Sequence, residues 1–365
     1  MADLFRWDAV SIRDFRDEIL DTPAPVIDLD IVERNIIRHQ RICDEAGVAN
    51  RPHVKTHKSI ELAKLQIRHG AAGITCQKLG EAEIMAEAGI DNILISYNIL
   101  GAAKHARLAR LNARAALTVT CDNSVVAMDL DKAVEGSGKP LRVLVECDTG
   151  RERCGVTSPE AATSLAQAIG ELPNLAFAGL LLYPPNGAFA EARAFVDETR
   201  RQCARHGIDI DIVSAGGTPN LAYAGQFGET EFRAGTCIFN DRQMVSLGAA
   251  RPSDCALFVY STVVSHPAGN RVMIDAGSKA LTSELVGFPD YGYFPDYPQA
   301  RLVRFAEEHG FVDVSDCPKA PAIGEIVRVL PNHVCPVVNM YDEIQTVRDG
   351  AISSRLKIDA RGRVA

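Results

Sequence analysis

The sequence lacks the features that mark membrane proteins, nucleic-acid-binding proteins and exported proteins. No apolar run approaches the roughly 20 residues that a membrane-spanning helix needs. The 39 basic and 47 acidic residues give a formal net charge of −8, which disfavours a nucleic-acid partner because phosphate backbones bind basic surfaces. The first residues lack the charged-then-apolar pattern of an export signal. We therefore expect a cytoplasmic protein without a membrane partner.

Cysteine is plentiful, but no two cysteines are spaced as C-x-x-C. There are ten in the chain. Without an export signal they are expected to be reduced and mostly buried, as small apolar side chains. Cys335 is the exception, because a possible metal-binding partner lies two residues before it.

The composition indicates a globular protein of more than one part. Hydrophobic residues make up 47% of the chain and charged residues 24%, which are ordinary values. At 365 residues the chain is long enough for two domains, or for one barrel with an appended module.

From residue 51 onward, apolar runs with the composition of strands alternate with helical patterns. Several of these runs are continuously apolar, which is typical of a parallel sheet covered on both faces. Eight such units within about 200 residues favour a (β/α)8 barrel over a doubly wound sheet. The predicted strands are 51–56, 73–77, 92–97, 117–121, 141–147, 177–183, 211–215 and 231–238.

After about residue 245 the pattern changes to strand-like runs separated by Pro, Gly and Asp. Three runs carry it, at 259–266, 270–275 and 325–330. One stretch, Pro298 to Glu307, has a possible helical pattern. The carboxyl-terminal part is therefore predicted to be a mainly β domain.

The basic run Arg51-Pro-His-Val-Lys-Thr-His-Lys58 is predicted to lie where a strand ends and a helix begins. Lys55 then falls at the carboxyl end of a barrel strand, which is where barrel active sites lie. Burial favours the neutral form of a lysine amine, which can bond a carbonyl cofactor. Lys58, just beyond the strand, is the alternative, and a solvated basic surface is the ordinary interpretation of such a run.

The segment Ser214-Ala-Gly-Gly-Thr-Pro219 has the composition of an anion-binding turn after a strand. Gly216 and Gly217 permit close backbone approach, and Pro219 suits the first turn of a helix capped by Thr218. Unpaired N–H groups at such a helix start would hold an anion such as phosphate. The alternative is a plain glycine-containing turn.

His333 and Cys335 are a candidate pair of metal ligands. On an extended strand, residues two apart project to the same side, so an imidazole and a thiolate can converge on one ion. Two protein ligands leave coordination positions open, which suits a catalytic metal that must bind substrate. Taken alone, His-x-Cys is a weak motif.

Five segments occur in order along the chain: Pro25-Val-Ile-Asp-Leu-Asp30, Pro52-His-Val-Lys-Thr-His-Lys58, Asp148-Thr-Gly-Arg-Glu-Arg-Cys-Gly155, Ser214-Ala-Gly-Gly-Thr-Pro219 and Pro331-Asn-His-Val-Cys335. In this order they resemble the D-threonine aldolase and D-serine dehydratase family. The resemblance covers nearly the whole chain. It implies an α/β fold of the alanine racemase type (pyridoxal phosphate fold type III), with a TIM-like barrel over 26–245. It also implies a mainly β domain over 246–365, completed by residues 1–25.

The same resemblance implies pyridoxal 5′-phosphate (PLP) bound to Lys55. In the family, the 148–155 loop sends an arginine toward the cofactor's phenolic oxygen, and alignment to Gly155 favours Arg153 over Arg151. His57 is expected beside Lys55. The phosphate would be held by the 214–219 turn and the 233–240 loop, whose candidates are Ser214, Gly216, Gly217, Thr218, Gly235, Thr236 and Cys237.

Tyr183 ends a predicted strand at a position where some relatives carry histidine. Its ring could stack on the cofactor or form a hydrogen bond near the substrate, and core packing is the alternative. The stretch around His333 and Cys335 closely resembles the family's metal box. A thiolate ligand favours Zn²⁺, with Mn²⁺ and Mg²⁺ as further options.

The activity implied by the resemblance is that of a lyase on small D-β-hydroxy-α-amino acids. We favour a D-threonine aldolase, a carbon–carbon lyase that yields glycine and an aldehyde. The alternative is a D-serine or D-3-hydroxyaspartate dehydratase, an ammonia-lyase that yields a 2-oxo acid. A racemase would leave the metal box without a purpose, and a non-catalytic PLP carrier would lack the β domain. A homodimer is also expected from the family.

Overall fold

The computed structural model describes residues 20–267 and 269–365, which form two compact units. The barrel unit consists of residues 38–55, 60–235 and 363–365. The β unit consists of the described residues up to 37, together with 56–59 and 236–362. The expectation for the amino-terminal residues 1–19 lies outside the described residues. The domain boundaries at residues 26 and 245 stay a prediction.

The described residues contain seventeen strands and nine α-helices. The strands are β1 (Ala24–Asp28), β2 (Ala49–Asn50), β3 (Ile74–Cys76), β4 (Asn92–Ile95), β5 (Ala116–Cys121), β6 (Leu141–Cys147), β7 (Leu175–Leu182), β8 (Ile212–Gly216), β9 (Glu231–Arg233), β10 (Leu257–Ser265), β11 (Arg271–Ile274), β12 (Gly292–Tyr293), β13 (Arg301–Phe305), β14 (Gly310–Asp313), β15 (Ile326–Pro331), β16 (Glu343–Arg348) and β17 (Ala351–Lys357). The helices are α1 (Leu29–Glu45), α2 (Ile60–Arg68), α3 (Leu79–Glu87), α4 (Ala102–Arg114), α5 (Ser124–Ala133), α6 (Pro159–Gly170), α7 (Phe189–Arg205), α8 (Arg242–Ser246) and α9 (Val334–Val338).

The barrel unit is built on one parallel sheet of eight strands, in the order β2-β9-β8-β7-β6-β5-β4-β3. Its two ends meet, because the Thr75 amide donates to the Pro52 carbonyl (2.8 Å) and the Val54 amide donates to the Thr75 carbonyl (2.9 Å). Helices separate most of the successive strands along the chain, which is why the strands are apolar on both faces. The predicted (β/α)8 barrel is confirmed.

Two of the eight predicted strands end more than two residues before the position that was expected. The first begins at Ala49, its pairing continues to His53, and residues 54–57 form a turn. The last ends at Arg233 rather than at residue 238, because Gly235 is followed by a 3-10 helix over Thr236–Ile238. Both differences shorten the strand at the end of the barrel where the candidate site lies.

The β unit contains the second sheet, which is mostly antiparallel. Strand β1 lies inside it, antiparallel to β10 and parallel to β16. A buried cluster underlies this region and includes Val26, Phe258 and Tyr260, with Leu20 packed against it. The predicted mainly β part of the chain is confirmed.

The helix predicted between Pro298 and Glu307 is wrong. Residues Arg301–Phe305 form β13, which pairs with β14 in a hairpin. Leu302 is buried while Arg301 and Val303 on either side are exposed, which is the alternation of a strand. Elsewhere in the described residues, no helix is long and apolar enough to cross a membrane.

Candidate active site

Lys55 lies in the turn directly after the first barrel strand, at the carboxyl end of the sheet. Its side chain is half-buried, and its Nζ donates a hydrogen bond to Gln77 Oε1 at 3.3 Å. Its backbone amide donates to His53 Nδ1 at 3.4 Å. Barrel enzymes place their reacting groups at this end, so the position of Lys55 agrees with a catalytic role.

The neighbouring basic residues of the motif serve other purposes. Lys58 is buried, and its Nζ donates to the Ala360 carbonyl at 3.4 Å. His57 is fully buried, and its Nδ1 accepts the backbone N–H of Ser59 at 3.1 Å. Both contacts fix the chain within the β unit, which makes Lys58 a poor alternative to Lys55.

The two glycines at the end of β8 allow close backbone packing that a side chain would prevent. Gly216 and Gly217 have φ values of +140° and +121°, which disfavour residues with a side chain. A Cβ atom on Gly217 would lie 2.7 Å from Tyr183 Cε2, and one on Gly216 would lie 2.3 Å from the Arg233 carbonyl oxygen. Glycine at these two positions therefore lets the turn pack closely against Tyr183 and Arg233, and the Gly217 amide donates to the Arg233 carbonyl at 2.6 Å.

The helix after this turn differs from the one expected. It is a 3-10 helix over Thr218–Tyr223, with Gly217 at the cap position and Thr218 already inside. Gly217 takes that place because of its positive φ, which a threonine would resist. Ser214 lies in β8, where its hydroxyl accepts a hydrogen bond from Arg233 Nε at 2.8 Å.

Tyr183, directly after β7, faces two guanidinium groups. The Cζ atoms of Arg151 and Arg153 lie 4.5 and 5.1 Å from the centre of its ring. The loop is shaped by Asp148, whose carboxylate accepts the amides of Gly150, Arg151 and Arg153. The half-buried ring is thus flanked by two cations. Arg153 alone was favoured from the resemblance, but Arg151 lies slightly nearer the Tyr183 ring.

Two buried charges in the barrel unit were not anticipated from the sequence. Glu146 in β6 is buried, which raises its pKa, while Arg153 and Arg233 oppose that effect. Arg153 Nη2 lies 3.8 Å from Glu146 Oε1. Burial lowers the pKa of Arg233 in β9 to about 10, against the attraction of Glu231 and Glu146. For Glu146, the available signal was a charged residue that follows the apolar run Val143-Leu-Val145 within β6.

In the β unit, His333 and Cys335 do not lie on an extended strand as predicted. His333 ends the extended backbone (φ −138°, ψ 117°) as the cap of α9, and Cys335 lies inside this short helix. Their side chains nevertheless lie close enough for the Cys335 thiol to raise the pKa of His333, because the chain turns between them. Pro336 fits this arrangement, since proline is tolerated in the first turn of a helix.

Buried polar groups fix the backbone of this segment. Asp241 Oδ2 accepts the amide of Val334 at 3.0 Å. The side-chain nitrogen of Asn332 donates to the Asp290 carbonyl at 2.7 Å, and its oxygen accepts from Arg242 Nη1 at 3.1 Å. The two candidate ligands therefore project from a backbone held on both sides of His333.

The surroundings of His333 favour positive charge. Burial disfavours the charged imidazole, but the Cys335 thiol, Glu284 and Asp241 outweigh it and raise the pKa of His333 to about 10. Its Nδ1 lies 2.5 Å from Glu284 Oε2. Burial also raises the pKa of Asp241 to about 6. The same neighbouring groups that stabilise a proton on His333 would also stabilise a bound metal cation.

Two threonines contact the Cys335 thiol. Thr56 Oγ1 lies 3.3 Å from the sulfur and Thr236 Oγ1 lies 3.9 Å from it. Thr56 is the residue after Lys55 in the chain, and sequence reasoning did not identify it. Cys237 is buried in the 3-10 helix that follows Gly235. Among residues 20–267 and 269–365, no three His, Cys, Asp or Glu side chains are grouped to hold a metal.

Known proteins resemble the chain over nearly its whole length. The family model of the alanine racemase N-terminal domain matches residues 27–243, and that of a putative serine dehydratase domain matches residues 256–347. The D-threonine aldolase of Arthrobacter sp. is 36% identical over 94% of this chain and 93% of its own length. The chain belongs to the D-threonine aldolase and D-serine dehydratase family.

Both branches of this family are among the relatives. The D-threo-3-hydroxyaspartate dehydratase of Delftia sp. is 31% identical, covering 92% of this chain and 96% of its own. The crystal structure of D-threonine aldolase from Filomicrobium marinum has a TM-score of 0.88 at 32% identity, covering 95% of this chain and 97% of that one. The alanine racemase-like fold of the family is thereby confirmed.

The family implies PLP, and the barrel unit fits such a group. An anionic cofactor with a carbonyl needs a lysine and cations, and Lys55 and Arg153 provide them, while the 214–219 turn offers a backbone without side chains at Gly216 and Gly217. In the β unit, an imidazole and a thiol with acidic groups near them suit a divalent metal that keeps open positions.

Proposed function

We propose that the chain is a PLP- and divalent-metal-dependent lyase acting on D-β-hydroxy-α-amino acids, and that its reaction is D-threonine aldol cleavage. The observation that carries this proposal is the 36% identity to a D-threonine aldolase over 94% of the chain. The placement of Lys55 after a barrel strand supports it, as does the association of His333 with Cys335.

We assign the cofactor-binding role to residues at, and just beyond, the carboxyl ends of the barrel strands. PLP, when bound, supplies an electron sink for the charge left at Cα when one of its bonds breaks. Lys55 holds the covalent attachment and offers its amine as a base when released. Arg153 and Tyr183 would face the ring. The phosphate is assigned to Ser214, Gly216, Gly217, Thr218, Gly235, Thr236 and Cys237.

In the β unit, His333 and Cys335 are the proposed metal ligands. A divalent metal, when bound there, acts as a Lewis acid toward the substrate's β-hydroxyl. The thiolate favours Zn²⁺, with Mn²⁺ and Mg²⁺ as further options. His57 is retained as a catalytic candidate from the sequence, although its Nδ1 already accepts a backbone hydrogen bond.

The two possible outcomes differ in the bond that breaks. In the aldolase reaction the β-hydroxyl loses its proton and the Cα–Cβ bond breaks, which releases an aldehyde and leaves glycine. In the dehydratase reaction Lys55 removes the α-proton and hydroxide leaves Cβ, which leads to a 2-oxo acid and ammonia. The 31% identity to a dehydratase supports keeping this second reaction as the alternative.

The remaining parts of the proposal follow the family. We assign the D configuration to the substrate, a homodimer to the protein and the cytoplasm as its location. The hydrodynamic mass of the purified protein tests the dimer, and comparison of D- and L-threonine tests the configuration.

The deciding experiment is product identification. Protein loaded with PLP and with Zn²⁺ or Mn²⁺ is incubated with D-threonine and, separately, with D-serine. Glycine and acetaldehyde from D-threonine establish the aldolase. Pyruvate and ammonia from D-serine, or 2-oxobutyrate from D-threonine, establish the dehydratase. Absence of turnover with every substrate and metal contradicts both.

A further inference from the structure

Within the barrel unit, the side chain of Gln77 accepts a hydrogen bond from the amine of Lys55. Gln77 lies just beyond β3 and is half-buried, and its Oε1 accepts the Lys55 Nζ hydrogen bond at 3.3 Å. Its backbone amide donates to Glu81 Oε2 at 2.7 Å, which fixes Gln77 to the start of α3. The amine of Lys55 therefore donates to a side chain whose own backbone is fixed by a hydrogen bond.

The orientation of the Gln77 amide is set by a neighbouring carbonyl. Its Nε2 donates to the backbone oxygen of Ser96 at 2.8 Å, and a carbonyl oxygen can only accept. The nitrogen of the amide must therefore face Ser96. The oxygen is left to face Lys55 and His53, whose Nε2 lies 3.2 Å from it.

The position of the ring proton on His53 follows from its contacts with Lys55 and Gln77, and Ser96 Oγ also lies 3.4 Å from its Nε2. Its Nδ1 accepts the backbone amide of Lys55, so the ring proton of the neutral imidazole lies on Nε2. His53 then donates to Gln77 Oε1 and does not compete with Gln77 for the Lys55 amine. Glu81 is the other titratable group in this network, and its carboxylate already accepts the amides of Gln77 and Lys78.

We propose that Gln77 is a positioning residue for Lys55, an inference that rests on the proposed function. By accepting one N–H of the neutral amine, Gln77 fixes the direction of the nitrogen lone pair. That lone pair attacks the cofactor's carbonyl carbon, and the carbonyl oxygen leaves as water. When substrate has displaced Lys55, the same hydrogen bond holds the freed amine ready to act as a base.

The test compares two substitutions at Gln77 with one at a similar glutamine. Gln77→Met keeps the length of the side chain but removes the acceptor oxygen. Gln77→Glu keeps an acceptor and adds a negative charge, which holds the proton on Lys55. The control is Gln202→Met on α7, because Gln202 is also half-buried and donates to Glu160 and Glu198.

Three experiments are carried out on each protein after its melting temperature has shown that it is folded. They measure the rate at which apoprotein links added PLP, the site of attachment after borohydride reduction, and kcat and KM for D-threonine. We expect Gln77→Met to slow linkage and kcat by about 10- to 100-fold with little change in KM, as misdirection of a reacting group does. The linkage rate of Gln77→Glu should fall at neutral pH and recover at alkaline pH, whereas that of Gln77→Met should not recover.

The outcomes separate this inference from the proposed function. If borohydride does not fix PLP on Lys55 of the unaltered protein, the proposed function fails and the inference with it. If PLP is fixed there but Gln77→Met links and turns over like the control, the positioning role is wrong and the function stands. If Gln77→Met does not fold, the Gln77→Glu variant decides. A PLP linkage rate that depends on pH in the same way as that of the unaltered protein would overturn the inference.

Discussion

The barrel unit and the β unit each gather polar side chains, but of opposite chemical character. The barrel cluster brings Lys55, Arg151, Arg153 and Arg233 to the carboxyl ends of strands, with Glu146 as a buried counter-charge. The β-unit cluster joins an imidazole and a thiol, and acidic groups raise the pKa of the imidazole. The first arrangement attracts an anion, and the second attracts a cation.

The two clusters are also held in different ways. In the barrel unit, side chains from separate strands support one another, as Arg233 does with Ser214 and with the Leu182 carbonyl (2.6 Å). In the β unit, two residues close in sequence depend on how their shared backbone is held, chiefly by Asp241 at Val334. Substitutions should therefore affect cofactor attachment and metal binding separately.

The largest expected effect is that of Lys55→Ala. Loss of the amine removes both the covalent attachment and the base, so kcat should fall by at least about 1,000-fold. Absorbance of the protein-linked cofactor and peptide mapping after borohydride reduction would measure the attachment. Lys58→Met is the control, and attachment at Lys58 instead of Lys55 would refute the assignment.

The second largest effect is expected from the loss of a proposed metal ligand. His333→Ala or Cys335→Ala should lower kcat by about 100-fold or more, because a Lewis acid contributes several kcal/mol. PLP attachment should be unchanged, as measured by absorbance, while metal content falls. Cys154→Ala, at an exposed cysteine, is the control. Full activity of the unaltered protein after exhaustive chelation would rule out a catalytic metal.

A smaller effect concerns His39, a buried histidine of the barrel unit. Burial lowers its pKa to about 4 from an ordinary value of 6.5, so folding favours the neutral ring. Its contribution to stability is present above pH 6.5 and is lost as the pH falls toward 4, by about 3 kcal/mol in all.

His39→Leu should therefore flatten the dependence of stability on pH in this range. Urea unfolding at pH 7 and at pH 4.5 measures it, with His206→Leu at an exposed site as the control. If both variants lose the same free energy of unfolding between pH 7 and pH 4.5, burial of His39 does not cause the loss of stability in acid.

The smallest expected effect is that of Gly217→Ala. The methyl group would require an unfavourable positive φ and would press on Tyr183, at a cost of about 1–3 kcal/mol. PLP affinity should weaken accordingly, measured by titration of the apoprotein. Gly138→Ala separates the two causes, since Gly138 also has a positive φ but nothing lies within 4 Å of the added Cβ. If both variants bind PLP with the same affinity, the contact between the added methyl group and Tyr183 does not affect cofactor binding.

The barrel was predictable from the sequence because its strands are continuous apolar runs bounded by turns. The segment Leu141–Cys147 is an example in which prediction and structure agree at both ends. The helix predicted at Pro298–Glu307 failed because Arg301–Phe305 is stabilised by pairing with β14, a contact between residues that local composition does not reveal.

Of the candidate site, local motifs indicated the basic run around Lys55 and the 214–219 turn, and the resemblance selected Lys55 over Lys58 and Arg153 over Arg151. Gln77 and Thr56 were missed because their contacts depend on which elements the fold brings together. The extended backbone predicted through His333 and Cys335 was wrong, and Pro336 was the signal for a helix start.

The position of β1 in the second sheet has a consequence for synthesis of the chain. Val26 pairs with Phe258 and with Gln345, which leave the ribosome more than 200 and more than 300 residues later. At usual translation rates this delay is on the order of tens of seconds, during which the barrel strands emerge complete. Strand β1 thus spends most of translation without its partners, exposed to chaperones that bind nascent apolar segments.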